Sequence, residues 1–136
     1  MLLSLLNRKE KLKFLDLAIH MVAVDGEPTS FEKRILNMML AEVGDDIYQE
    51  YTYSLASDLD VTIDFFISTP KVTRHIVLLN LLKLSMFDDL YNTSEHFFID
   101  TCRRKFKIGV AKRKELMRII YAERDWHEQA KRVVID

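Results

Sequence analysis

The chain has one cysteine, two prolines and three glycines in 136 residues. Each scarcity removes a class of architecture. A lone Cys102 cannot close an intrachain disulfide, which excludes the disulfide-stapled small folds and points to a reducing compartment. Gly26, Gly44 and Gly109, with Pro28 and Pro70, are too few to turn a chain between many short strands, and they suit a few long helices. No apolar run reaches the roughly 18–20 residues that a membrane-spanning helix needs. The stretch from Ile76 to Leu82 is broken by Asn80 and then Lys83. The opening Met1-Leu2-Leu3-Ser4-Leu5-Leu6 has no basic stretch before it and no small-residue cleavage site, so it is a poor signal peptide. A cytoplasmic location is expected. A Gly-rich phosphate loop, a His-Glu-x-x-His spacing and a nucleophile elbow are all missing, so no enzymatic activity is expected.

What is present is core material and unevenly placed charge. Hydrophobic residues make up 49 % of the chain, enough to build the interior of a single domain spanning 1–136. Net charge is -1. Residues 1–19 hold four basic and two acidic side chains, residues 20–102 five and fourteen, and residues 103–136 eleven and five. An acidic body and a basic C-terminal region either pair within the fold or match an oppositely charged partner.

The hydrophobic spacing predicts a helix over 8–24, with Leu12, Leu15, Ile19 and Val22 on its apolar face. Asp25-Gly26-Glu27-Pro28 is a turn by composition. Thr29 and Glu32 form a capping box for a helix that runs to about Val43 and stops at Gly44. Two further helices are expected over 46–57 and 58–68, and Pro70 marks a break. The segment from Lys71 or Val72 to Met86 is apolar almost all round, as the central helix of a bundle should be. Asp88-Asp89 follows it, and Asn92 and Glu95 repeat the capping pattern for a helix reaching about Phe106. Gly109 interrupts. A last helix runs from about Ala111 toward Val134, with a bend or fraying expected near Asp125-Trp126, where Trp126 reads as a packing anchor. The fold class is therefore all-α, a bundle of six to seven helices.

Two segments keep register at an offset of 63 residues. Leu15 falls on Leu78, Asp25 on Asp88, Thr29 on Asn92, Glu32 on Glu95, Leu36 on Ile99 and Val43 on Phe106. Two helix–acidic loop–helix units related by a pseudo-twofold axis are expected. The first unit, with Asp25-Gly26 after one helix and Glu32 at the start of the next, resembles the tellurite-resistance TerB-like domain, also found fused to DjlA-type co-chaperones. Residues 8–44 and 72–108 carry the likeness. In the second unit Asp88 and Glu95 match, but Asp89 stands where a Gly is expected.

The resemblance implies an all-helical domain that works through protein contacts in stress response, without a defined catalytic reaction. It also implies acidic positions that hold a divalent cation, calcium or magnesium. Asp25, Glu32, Asp88, Asp89 and Glu95 would supply the oxygen ligands that such hard cations prefer, if the two loops meet. The competing explanation is that these residues only cap helices and pin loops. The spacing after Asp25 is not that of an EF-hand, because Ser30 occupies the position that requires Gly.

The basic run of Arg103, Arg104, Lys105 and Lys107, followed by Lys112, Arg113 and Lys114, has three readings. It forms solvated helix faces, docks on an acidic protein or lipid surface, or binds nucleic acid. The last makes a nucleic-acid-binding or regulatory module the alternative function. The leading expectation is a non-enzymatic protein-interaction domain with a protein partner, a second copy of the chain being one candidate. Leu2, Leu3, Leu5 and Leu6 either cover the core or form a dimer contact.

Overall fold

A computed structural model describes residues 1–23, 30–44, 46–47, 59–86 and 93–136, with the backbone alone for Ala23, Phe31, Glu32, Met86 and Thr93. Six α-helices and no strand occur among the described residues: α1 (Arg8–Ala23), α2 (Ser30–Val43), α3 (Leu59–Ile67), α4 (Lys71–Met86), α5 (Thr93–Lys105) and α6 (Val110–Ile135). Most of the expected 46–57 helix lies outside the described residues, although Asp46 and Ile47 are helical. The Asp25–Pro28 and Asp88–Asp89 turns and the caps Thr29 and Asn92 also lie outside them.

A capping box that the sequence reading missed sets the start of α1. The Asn7 N–H donates to Glu10 Oε1 and the Glu10 N–H donates to Asn7 Oδ1, both at 2.9 Å. Two of the unpaired donors of the first turn are thereby satisfied. Along α1 the fully buried residues are Phe14, Leu15, Leu17, Ala18 and Met21, while the expected Leu12 and Ile19 are half-buried. The broader buried surface follows from four neighbours, since α1 packs on α2, α3, α4 and α5.

The central helix is α4, which touches all five others. Every residue from Ile76 to Leu84 is buried. Two of these are polar, and both are used. Asn80 donates from Nδ2 to the Ile76 and Met1 carbonyls, each at 2.8 Å, and its Oδ1 accepts from the Met1 amine at 2.9 Å. Its amide thus loses no hydrogen bonding on burial. Glu42 of α2 completes this contact by accepting from the Met1 amine at 2.8 Å and from the Leu3 N–H at 2.9 Å. The resulting 3-10 turn, Leu3–Leu5, places Leu3 and Leu6 in the core and leaves Leu2 and Leu5 exposed.

The first helices of the two offset units, α1 and α4, lie against each other. The Thr73 hydroxyl donates to Glu10 Oε2 at 3.2 Å across that contact. These two residues are 63 apart, the offset of the sequence repeat, so equivalent positions of the two units meet.

Gly44 ends α2 as expected, with φ 106 in the left-handed region. The end of α5 differs from expectation. Gly109 does not make the break: it is extended, at φ -72 and ψ 161, and caps α6. The left-handed residue is Lys107, at φ 58. Its N–H donates to the Arg104 carbonyl and the Ile108 N–H donates to the Arg103 carbonyl, each at 3.1 Å, which is a Schellman closure. Ile108 is then buried against the bundle.

Helix α6 is continuous across Asp125-Trp126, so it does not fray there. No proline or glycine lies within its 26 residues to break the backbone ladder. At 1.5 Å per residue it is about 39 Å long, too long for α4 to cover. Its inner half packs on α4 through half-buried Leu116 and Met117 and buried Ile120. Farther out, Lys83 Nζ of α4 forms an ion pair of 2.9 Å with Glu123 Oε1.

Candidate functional site

The acidic positions are placed only in part. Asp25, Asp88 and Asp89 lie outside the described residues, as does the Glu32 side chain, whose backbone is in α2. Glu95 sits in the first turn of α5 and is buried. Among the described residues, no three His, Cys, Asp or Glu side chains come together as a candidate metal site.

The basic positions are largely engaged with the fold. Asp100 on α5 is their hub. Arg103 donates to its Oδ1 from Nε at 3.1 Å and from Nη2 at 2.9 Å, and Arg104 Nε lies 3.2 Å from its Oδ2. Arg113 of α6 approaches within 3.9 Å. The Arg103 hydrogen bond, followed by the charges of Arg103, Arg104 and Arg113, holds the Asp100 carboxyl below its ordinary value. Arg103 also donates from Nη1 to the Ile108 carbonyl at 3.0 Å, clamping the α5–α6 connection. Lys105 pairs with Asp60 of α3 at 3.3 Å, and Lys112 with Glu115 at 3.0 Å. Lys107 and Lys114 are exposed. Five of the seven residues thus hold carboxylates of the same chain, and this part of the charge asymmetry closes on itself.

Cys102 lies in the core beside Phe98 and Ile99, and burial pushes its thiol up to about 12. A thiol so raised supplies essentially no thiolate near neutral pH.

The largest departure from expectation is Trp126. It is not a packing anchor: 71 % of its surface is exposed. Every residue from Arg124 to Asp136 is exposed. Trp126, Ala130, Val133 and Val134 recur at helical spacing and make one apolar strip, with Val134 83 % exposed. Shallow apolar hollows of about 300 Å³ lie along this strip, one bordered by Trp126, Gln129 and Val133 and the other by His127, Lys131 and Ile135. The residues of the strip were visible in the sequence. Their exposure was not, because tertiary contact decides whether the strip is core or surface.

The same stretch of helix carries charge of both signs. Glu123, Asp125 and Glu128 lie on its inner part, with Arg124 among them, and Lys131 and Arg132 on its outer part. Lys131 Nζ lies 3.3 Å from Glu128 Oε1 one turn back. No helix among the described residues is long and apolar enough to cross a membrane, so this is no spanning segment. The chain matches no protein-family model, no curated protein and no solved structure.

Proposed function

We propose that this chain is a non-enzymatic protein-interaction domain whose docking surface is the outer half of α6, residues 124–136. The observation that carries the reading is the exposed strip of Trp126, Ala130, Val133 and Val134 on the outer half of α6. An exposed tryptophan among aliphatic neighbours, rimmed by charge, has the composition of an interface core and rim. The likeness of residues 8–44 and 72–108 to TerB-like domains supports the same reading, because it implies work through protein contacts in stress response.

A photo-crosslinking amino acid at Ala130, carried by the full chain in its native host, tests the proposal. Covalent capture of protein at this position, and its loss in Val133→Asp, is the expected result. Absence of any adduct overturns the reading. The resemblance also carries a calcium or magnesium site at the acidic positions, for which titration calorimetry on the chain and on Asp25→Ala and Asp88→Ala is the test. Absence of heat at millimolar metal ends that part.

A further inference from the structure

We infer that the outer half of α6, residues 125–135, opens and closes as a unit separate from the bundle, so that docking at Trp126 is coupled to helix formation. The opening rests on the fold alone. The coupling rests on the docking reading above and deepens it by naming what regulates that surface.

Little holds this helix beyond its own backbone ladder. Of its 26 residues, Ile120 alone is buried. Leu116 and Met117 are half-buried on α4, Arg113 reaches Asp100 of α5, and Glu123 pairs with Lys83. All of these ties lie in the inner half. From Asp125 to Ile135 every residue is exposed, the apolar Trp126, Val133, Val134 and Ile135 included. Among the described residues, the one side-chain pair of this stretch is Lys131 Nζ to Glu128 Oε1 at 3.3 Å, which lies in solvent and contributes little.

Helices in proteins draw most of their stability from the packing of an apolar face, and a stretch without packing is left with the propensity of its residues. Six of the eleven, Asp125, Trp126, His127, Val133, Val134 and Ile135, belong to the weaker helix formers. The inner half supplies the nucleus, so the stretch extends an existing helix. It also loses its ladder readily, because its backbone groups pass to water without exposing any buried side chain. The bundle does not share in that opening, since no core residue lies beyond Ile120. The free energy of opening is therefore local and well below that of the whole fold.

Opening removes the docking surface as well. Trp126, Ala130, Val133 and Val134 share one side of the chain only at helical spacing. A ligand of the strip therefore stabilises the helix that carries it. Any change that shifts the helix equilibrium then changes affinity without touching the contact.

Glu128 supplies the probe, since at 3.6 residues per turn it lies on the side of α6 away from the strip. Glu128→Pro removes one donor from the ladder, crowds the Arg124 carbonyl and leaves residues 129–135 too short to be helical alone. Glu128→Ala loses the same Lys131 pair and keeps the ladder. Native-state hydrogen exchange followed by NMR on the full chain, over a series of low urea concentrations, gives the first readout. Amides of 128–135 should be protected less than about a hundredfold and show no dependence on urea. Those of 76–84 in α4 should be protected about ten-thousandfold or more, with full dependence. Glu128→Pro should lose helical circular dichroism yet keep the urea midpoint of the bundle. With the crosslinker at Ala130, its adduct should fall about tenfold or more. Glu128→Ala should match the parent chain in all three. Protection over 128–135 equal to that in α4, or a lowered midpoint in Glu128→Pro, overturns the separate unit. An adduct as strong in Glu128→Pro as in the parent overturns the coupling. Absence of any adduct in the parent chain removes the docking reading and the coupling with it, while the exchange and urea results still decide the opening by themselves.

Discussion

Replacing Lys107 by glycine should make the protein more stable, although it removes a side chain and adds none. Lys107 is the left-handed residue that closes α5, at φ 58, and its side chain is exposed. An L-residue held there is disfavoured by roughly 1–2 kcal/mol, because Cβ crowds the following carbonyl. Glycine escapes that crowding but gains freedom in the unfolded chain, which costs about 0.4–1 kcal/mol. The lost cation beside the α5 C-terminus costs a further ~0.3 kcal/mol at an exposed site. The net gain centres on about 0.5 kcal/mol, with the strain term winning. Lys107→Ala supplies the control: it keeps the strain, loses the charge and should be neutral to slightly destabilising. Urea unfolding followed by circular dichroism resolves the difference as a shift in midpoint at unchanged slope. If glycine is no more stable than alanine at this position, Lys107 is not the left-handed terminator and the account of the α5–α6 connection fails.

The buried Glu10 carboxylate accepts from Asn7 and from Thr73. Glu10→Ala should cost about 2 kcal/mol in urea unfolding by orphaning both donors, and Glu10→Gln distinctly less, because its amide oxygen still caps the helix; equal losses in the two variants would refute the double role. Cys102, with its thiol pushed up to about 12 and no solvent access, should resist an aromatic disulfide reagent at neutral pH and label fully in denaturant. Fast labelling of the native chain would contradict its placement. Burial holds His20 below its ordinary 6.5, and burial followed by Lys112, Lys71 and Arg74 does the same for His75. Between 6.5 and these lowered values the unfolded chain binds protons that the folded chain does not, so stability should fall as pH drops through that window. His20→Gln and His75→Gln together should flatten the slope, and an unchanged slope would refute it. Asp100 has the opposite sense: its folded value is depressed, so its contribution is present above 3.8 and is lost at lower pH.

The helical plan was legible because helix formation leaves a local record. Apolar residues at spacing three and four, a Gly after Val43 and Pro70 between two apolar stretches marked four boundaries to within a residue or two. The centrality of α4 was legible for the same reason, since a helix apolar on every side must be surrounded. The errors fell where a local cue competes with an unrecorded contact. Gly109 looked like the breaker because glycine is the usual left-handed residue, yet the Schellman hydrogen bonds and buried Ile108 hold Lys107 in that role. The basic run left three readings open: Asp100 and Glu115 stand within one helical turn of it in the sequence, but only the fold brings Asp60 to Lys105 and Arg113 to Asp100. Asn80 and Lys83 looked like interruptions of an apolar run, and the fold uses both, one to hold the N-terminal turn and one to fasten α6.

Periodicity and composition by themselves determined that this chain is helical, with α4 as its central helix, because those properties depend on residues within a few turns of one another. What the outer half of α6 is for depended on tertiary structure. Trp126, Ala130, Val133 and Val134 form the same strip whether it is buried or bare, and no property of the strip distinguishes the two cases. The difference lies in tertiary contact: α4 is tied to α6 at Lys83 and Glu123, and every residue of α6 from Arg124 on is exposed. Burial is decided by how far the neighbours reach, and the outer half of α6 lies exposed beyond its contact with α4.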